Sequence, residues 1–300
     1  MFLIMKRSGN SFEQYFINEI ENRGTRVLPT EKFFTNGKRK TLNIFNIFNN
    51  IYNAKKKKYF DVFDTVIVFD NILIAIPLSL YLPKKRIINW RWNIYDKKIR
   101  MFCLSLLKNL EIWTFDEEDA KKFGMNLNTQ FFFKDLNFAN FDKNKIDLFF
   151  IGYDKNRYSY LSDIKSFCCE QNIRYSFHIL PDKKAEYKKS DSDIIEEKFW
   201  DYEKILETVS CSKAILDLTQ DNQVGLTLRT LEAIYFDKKI VTNNKNLQNM
   251  DFFSPDNVFI IGERDISGLS QFINGKKAYY TDEVKQFYDY NSWLKRFHNK

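Results

Sequence analysis

Two histidines, His178 and His298, and four cysteines, Cys103, Cys168, Cys169 and Cys211, are the whole soft-ligand inventory of this 300-residue sequence. No two cysteines form a CxxC pair, so a zinc site is not expected. The start, MFLIMKRSGN, lacks the charged-then-apolar-then-small order of a secretory signal, and the thiols are expected to be reduced in a cytosolic protein. Long apolar runs are missing as well. The richest stretch, 62–82, is broken by Asp64, Asp70, Asn71 and Pro77 and falls short of the roughly 20 residues that cross a bilayer. It reads instead as a buried strand followed by loop or helix. No Ser-His-Asp, GxxxxGK[ST], GxGxxG or HExxH pattern occurs, which sets aside most familiar enzyme classes. There is no repeat at a solenoid period, and no low-complexity tract beyond Lys55 to Lys58.

What is present is a globular composition, 44% apolar, in a chain long enough for two domains with sizeable cores. A net charge of +8 favours anionic partners such as nucleotides, phospholipid head groups or nucleic acid, without choosing among them. Periodicity predicts helices at 11–22 and, from Leu42, Phe45, Phe48 and Tyr52, a second ending in Lys55 to Lys58. Strands follow at 65–69, 86–92 and 111–115, with helices at 96–107 and from the acidic start Asp116, Glu117 and Glu118. Residues 131–145 lose the pattern and read as a linker. Beyond them, strands at 146–151, 174–180, 214–218, 239–242 and 257–261 alternate with helices at 158–171, 201–210, 225–235 and 266–274, and 181–197 reads as an exposed loop. The alternation predicts α/β domains on mostly parallel sheets, at 1–135 and 146–280, with a C-terminal helix at 281–300.

The segment QVGLTLRTLEAIYFDKKIVTNN, 223–244, concentrates the chemistry. Gly225 is read as opening a helix on which Gly225, Arg229 and Glu232, at i, i+4 and i+7, share one face. Ligands of open α/β sheets sit at the carboxyl ends of strands, beside helix N-termini. The turn 219–225 is expected there. Its backbone with Thr219 and Gln223 would cradle a diphosphate, Arg229 would reach phosphate oxygens, and Glu232 would accept from ribose hydroxyls. The alternative is a surface Arg229–Glu232 pair contributing a few tenths of a kcal/mol. A second candidate, GYDKNR at 152–157, is placed across the cleft from the first: Gly152 allows a tight exit from its strand, and Lys155 and Arg157 would neutralise pyrophosphate, or else form an ordinary turn with solvated charges.

Weaker signals each have two readings. Lys55 to Lys58 is a solvated helix end or an attraction for anionic lipid. Trp90, Arg91 and Trp92 are strand packing or a stacking surface for a sugar or base. Asp70 is a turn or capping aspartate, or a general base.

The runs GLTLRTLEAIYFDKKIVTNN and MDFFSPDNVFII, with FFIGYDKNRYSYL at 149–161 and EIWTFDEEDAKKFGM at 111–125, resemble bacterial GT-B glycosyltransferases that build lipopolysaccharide core, O-antigen or capsule. The resemblance spans most of 86–262. It implies two Rossmann-like domains facing across a cleft, and transfer of a hexosyl or deoxyhexosyl group from a nucleotide-sugar donor to a surface glycan or glycolipid. It further implies a metal-independent reaction with no cofactor, the nucleotide-sugar being substrate, in a cytoplasmic protein that is free or peripheral on the anionic inner face of the inner membrane. Gly225, Arg229 and Glu232 would face the donor diphosphate and ribose. Arg229, with basic groups near Gly152, would stabilise the departing diphosphate. Asp191-Ser192-Asp193 has the spelling of a DxD metal motif but stands in a Lys-rich excursion and is read as chance. No histidine or aspartate of the first domain matches a family base, which leaves Asp70 as the candidate. Two other classes stay open: an inactive nucleotide-sugar-binding or scaffold protein of a membrane-associated glycan assembly, and a nucleic-acid binder resting on net charge alone, with no RNP, KH or helix-turn-helix signature.

Overall fold

The computed structural model describes residues 1–33, 44–93, 107–134, 136, 145–182, 186–219 and 224–298. Of the expected helix 96–107 only Leu107 falls among them, and Gln223 lies outside. The chain divides into two compact units, Met1–Thr129 and Gln130–Lys300.

The first unit is a parallel sheet of β1 (Phe2–Lys6), β2 (Arg26–Pro29), β3 (Thr65–Phe69), β4 (Arg86–Arg91), β5 (Leu110–Thr114) and β6 (Asn126–Leu127), in the order β2-β1-β3-β4-β5-β6. Covered on both faces, such strands lose the alternation of an exposed sheet, and all five residues of β3 are buried. Helix α1 (Ser11–Asn22) starts where the Asn10 side chain accepts the Glu13 N–H at 2.8 Å, and α2 (Ile44–Lys56) ends in Lys55 and Lys56, complementary to its negative end. The apolar run 62–82 resolves into β3, a turn at Asp70 and α3 (Ile72–Tyr81). Among the described residues no helix is long and apolar enough to cross a membrane. The acidic start at 116–118 is α4 (Glu117–Phe123), with Asp116 accepting from Glu118 N and Asp119 N and Gly124 closing it at φ +64°.

The second unit alternates β7 (Ile146–Tyr153), α5 (Tyr158–Glu170), β8 (Tyr175–Leu180), α6 (Tyr202–Cys211), β9 (Ser212–Asp217), α7 (Leu228–Tyr235), β10 (Lys239–Thr242), β11 (Val258–Ile260) and α8 (Leu269–Asn274). Its parallel sheet runs β11-β10-β9-β7-β8, so β9 sits between β7 and β10, with Asp217 opposite Thr242. Most described residues of the segment 181–197 are exposed, as its polarity suggests, but the loop is anchored. Ile179 N donates to Ile194 O at 2.8 Å and Glu196 N to Ile179 O at 2.9 Å, stitching the returning chain onto the edge of β8. Phe131, Phe132 and Phe133, read as linker, are fully buried against Tyr235, Tyr290 and Trp293. The tail 281–300 holds two short helices rather than one, α9 (Asp282–Phe287) and α10 (Tyr290–Arg296), because Asp289 caps a new helix through Asn291 N and also accepts Lys134 N.

Candidate functional site

The carboxyl end of β9 is organised by Asp217. Its Oδ2 accepts the hydroxyls of Thr227 and Thr230, each at 2.6 Å, and its carbonyl oxygen accepts Thr242 Oγ1 at 2.7 Å. Thr227 is also the N-cap of α7, accepting Thr230 N at 3.2 Å. One buried carboxylate thus ties the strand end to the start of the helix. Burial pushes the Asp217 carboxyl above its ordinary range, against the two threonine hydroxyls and the charges of Arg157 and Arg229.

Gly225 does not open α7. The helix starts at Leu228 because Thr227 supplies the cap, and Gly225 is buried in the turn before it. That turn is held from the other side by Asn244 and Asn246, whose side-chain amides both donate to Val224 O at 3.3 Å. Arg229 and Glu232 do share a face of α7, but the pair is not on the surface. Glu232 is 0% exposed, accepts Tyr202 O–H at 2.6 Å on Oε1, and takes Arg229 Nη1 on Oε2. Burial raises its carboxyl, opposed first by Arg229. With both oxygens engaged inside the protein, Glu232 orients Arg229 and does not present a free face to a ribose. The other N–H groups of Arg229 have no partner among the described residues. A planar guanidinium held at one edge, with its other donors unfilled, suits an oxyanion.

The second candidate segment lies beside the first, not across a cleft from it, because β7 and β9 are neighbours. Arg157 donates to three backbone carbonyls: Leu218 O at 2.5 Å through Nη1, Asp154 O at 3.1 Å through Nε, and Tyr153 O through Nη2. A Cβ on Gly152 would lie 3.1 Å from Arg157 Nη2, so glycine there lets the guanidinium fold back over the strand end. Lys155 and Asn156 take left-handed backbone angles, φ +47° and +65°, and Asp154 Oδ1 accepts the N–H of Arg157 and Tyr158, fixing the turn. Lys155 is exposed; burial of its stem and the Arg157 charge lower its ammonium below the usual range, with Asp182 opposing. Thr219 gives both N–H, at 2.8 Å, and Oγ1, at 3.1 Å, to Asn243 Oδ1.

Arg157, Thr219, Gly225, Arg229 and Glu232 therefore gather at one edge of the second sheet, and Arg229 is the group with donors to spare. Asp217, Thr227, Thr230 and Tyr202 were not singled out by sequence reasoning. An aspartate closing the apolar strand AILD, and threonines at i and i+3 ahead of an apolar helix, are the signals that point to the first three. Tyr202 had none.

In the first unit, Asp70 follows β3 at φ +54° and accepts Trp92 N at 2.8 Å and Asn93 N and Nδ2 at 3.3 and 3.0 Å. It is a turn-fixing aspartate whose carboxyl burial raises, opposed first by Arg91. Trp90 is fully buried, while Trp92 packs edge-on to Phe16 at 5.2 Å. Lys55 to Lys58 are exposed. The DxD spelling is occupied: Lys165 Nζ lies 3.0 Å from Asp191 Oδ1 and 2.5 Å from Asp193 Oδ1. Among the described residues no three His, Cys, Asp or Glu side chains are grouped to hold a metal ion.

No family model matches the sequence, and no curated protein matches it. Solved structures do. AviGT4, a glycosyltransferase involved in avilamycin A biosynthesis, is 12% identical at a TM-score of 0.65, over 99% of this chain and 95% of that one. An alpha-glucosyltransferase in complex with UDP-glucose and DNA containing an abasic site is 12% identical at a TM-score of 0.55, over 98% and 92%. At such identity the likeness is one of fold, and the fold is GT-B: two Rossmann-like α/β domains.

Proposed function

We propose that the protein is a glycosyltransferase that binds a nucleotide-diphosphate sugar at the carboxyl edge of the second sheet and passes the sugar to an acceptor hydroxyl without a metal ion. The observation that carries this is Arg229, fixed by the buried Glu232 and Tyr202 at the start of a helix, with donors still unfilled. As the bond from the anomeric carbon to the diphosphate oxygen breaks, negative charge develops on the leaving group, where a positioned cation lowers the barrier most. Asp70 is the base we assign to take the acceptor proton. Its raised carboxyl is a better proton acceptor once ionised than an ordinary aspartate.

The acceptor we assign is a bacterial surface glycan or glycolipid, and the sugar a hexose or deoxyhexose. The sequence resemblance supports both. The exposed Lys55 to Lys58, at the end of α2, support a peripheral position on an anionic membrane face, at roughly 1 kcal/mol per basic residue. A thermal-shift series against UDP-, GDP-, dTDP- and CMP-sugars tests the donor assignment. A ligand at 100 times its Kd stabilises by about 2.7 kcal/mol, and only the matching donor is expected to shift the midpoint. No shift with any donor sinks the reading, binding without turnover on glycan acceptors favours the inactive binder, and transfer to DNA overturns the acceptor.

A further inference from the structure

Lys6, the last residue of β1, is only 5% exposed, and its Nζ lies over three aromatic rings, 5.5 Å from the centroid of Phe12, 5.7 Å from Phe69 and 5.5 Å from Trp92. These rings come from the first turn of α1, the end of β3 and the residue after β4, all at the carboxyl edge of the first sheet. Among the described residues no oxygen lies within hydrogen-bond or ion-pair distance of that ammonium. The nearby carboxylates are committed elsewhere. Glu13 accepts Gly9 N, Glu31 accepts Ser8 N and Oγ, and Asp70 holds Trp92 and Asn93. Ring faces attract the charge but accept none of its three N–H bonds in line, and a buried polar group with unfilled donors is costly to keep.

The charges decide what would fill them. Lys6, Arg7 and Arg91 stand against Glu13, Glu31 and Asp70, three cations to three carboxylates, so the surroundings carry no net charge that would draw in a phosphate or a further carboxylate. A neutral hydroxyl suits them: its oxygen accepts from Lys6, its proton goes to a remaining lone pair of Asp70, and apolar C–H faces meet aromatic rings.

We propose that Lys6, Asp70 and Trp92 form a binding site for an uncharged sugar ring in the first unit. This rests on the glycosyltransferase reading, for which it names the chemistry of the acceptor, a neutral sugar residue.

Saturation-transfer NMR tests it in the absence of donor, with the methyl glycosides of glucose, galactose, mannose, rhamnose and N-acetylglucosamine as probes. At least one is expected to receive saturation from the wild-type protein, and Lys6→Met, which keeps an unbranched side chain among the rings, is expected to weaken its binding at least about tenfold, the weight of one charge-assisted hydrogen bond. Melting curves confirm that the variant folds, and Asp70→Asn, which keeps an oxygen for the Trp92 amide, is a second variant expected to weaken the same probe. No transfer to any glycoside, undiminished transfer with both variants, or competition by inorganic phosphate would overturn the site. UDP-sugar binding by the same samples is read separately, so glycoside binding without donor binding sinks the function while leaving this site standing, and the reverse sinks only the site.

Discussion

The guanidinium of Arg157 donates through Nη1 to the carbonyl oxygen of Leu218 at 2.5 Å, joining the exit of β7 to the exit of β9. With its other donors given to Tyr153 and Asp154 carbonyls, this arginine is committed to the backbone. Arg157→Ala is expected to destabilise the protein by about 1–3 kcal/mol, because the part-buried Leu218 and Asp154 carbonyls lose charged donors, and Arg157→Lys to recover little, because an ammonium lacks the fork. Urea midpoints check this. A variant as stable as the parent but unable to bind donor would return Arg157 to the ligand.

Arg229 has a structural part and, in the proposed transfer, a chemical one, and a double substitution separates them. Arg229→Ala leaves Glu232 buried without its cation, so both stability and transfer are expected to fall, transfer by about 10²–10³-fold. In Arg229→Met with Glu232→Gln the buried charge is gone and Gln still accepts Tyr202 O–H, so stability is expected to recover relative to Arg229→Ala. Transfer should not recover. Parallel urea titration and turnover assays decide, and recovered turnover in the double variant would remove Arg229 from the chemistry.

The two buried carboxyls also set a pH dependence. Burial raises both Asp217 and Glu232 in the folded state, so the folded protein holds their protons to higher pH than the unfolded chain does. Their contribution to stability is complete below the unfolded values, about 3.9 and 4.3, and is lost as pH rises through the raised folded values. Asp217→Asn removes one of these titrations while an amide oxygen can still accept from Thr227 and Thr230. From pH 4 to 7 its stability is expected to gain on the parent by up to about 1.4 kcal/mol per unit over the window between the two values. Urea midpoints at four pH values measure this; parallel curves for parent and variant would show that Asp217 is ionised in both states.

The alternation of strands and helices was legible because parallel strands covered on both faces read as short apolar runs, and β3, β7 and β10 stand out on that ground alone. The site was legible as a segment and not as a geometry. The i, i+4, i+7 spacing placed Arg229 and Glu232 on one face, but helix periodicity says nothing about burial, and Tyr202, 30 residues away, decides that Glu232 is sealed. The same spacing drew Gly225 into the helix, since a glycine can open one, whereas the threonine hydroxyl at 227 satisfies the first N–H groups and fixes the start there. Arg157 looked like a phosphate ligand because its partners are backbone carbonyls, which carry no side-chain signature.

The DxD spelling at Asp191 and Asp193 gives a last test. Asp191 Oδ2 accepts Tyr158 O–H at 2.8 Å and Ser162 Oγ at 2.7 Å, while Oδ1 faces Lys165, so a divalent ion would have to displace an ammonium and two hydroxyls to reach it. Although burial alone would raise Asp191, the hydrogen bonds from Ser162 and Tyr158, with Lys165, hold its carboxyl below the usual range. The pair is therefore expected to strengthen the fold above the ordinary aspartate range and to weaken it as pH falls into that range. Asp191→Ala leaves the buried Lys165 with the half-exposed Asp193 as its one carboxylate beside the Ser190 carbonyl and should cost about 3–5 kcal/mol, whereas Asp193→Ala should cost about 1 kcal/mol or less. Excess EDTA should leave both the melting temperature and sugar transfer unchanged. A transfer rate that falls with EDTA and returns with Mg²⁺ or Mn²⁺ would mean that a metal ion enters the reaction, and loss of that rescue in Asp193→Ala would place it here after all.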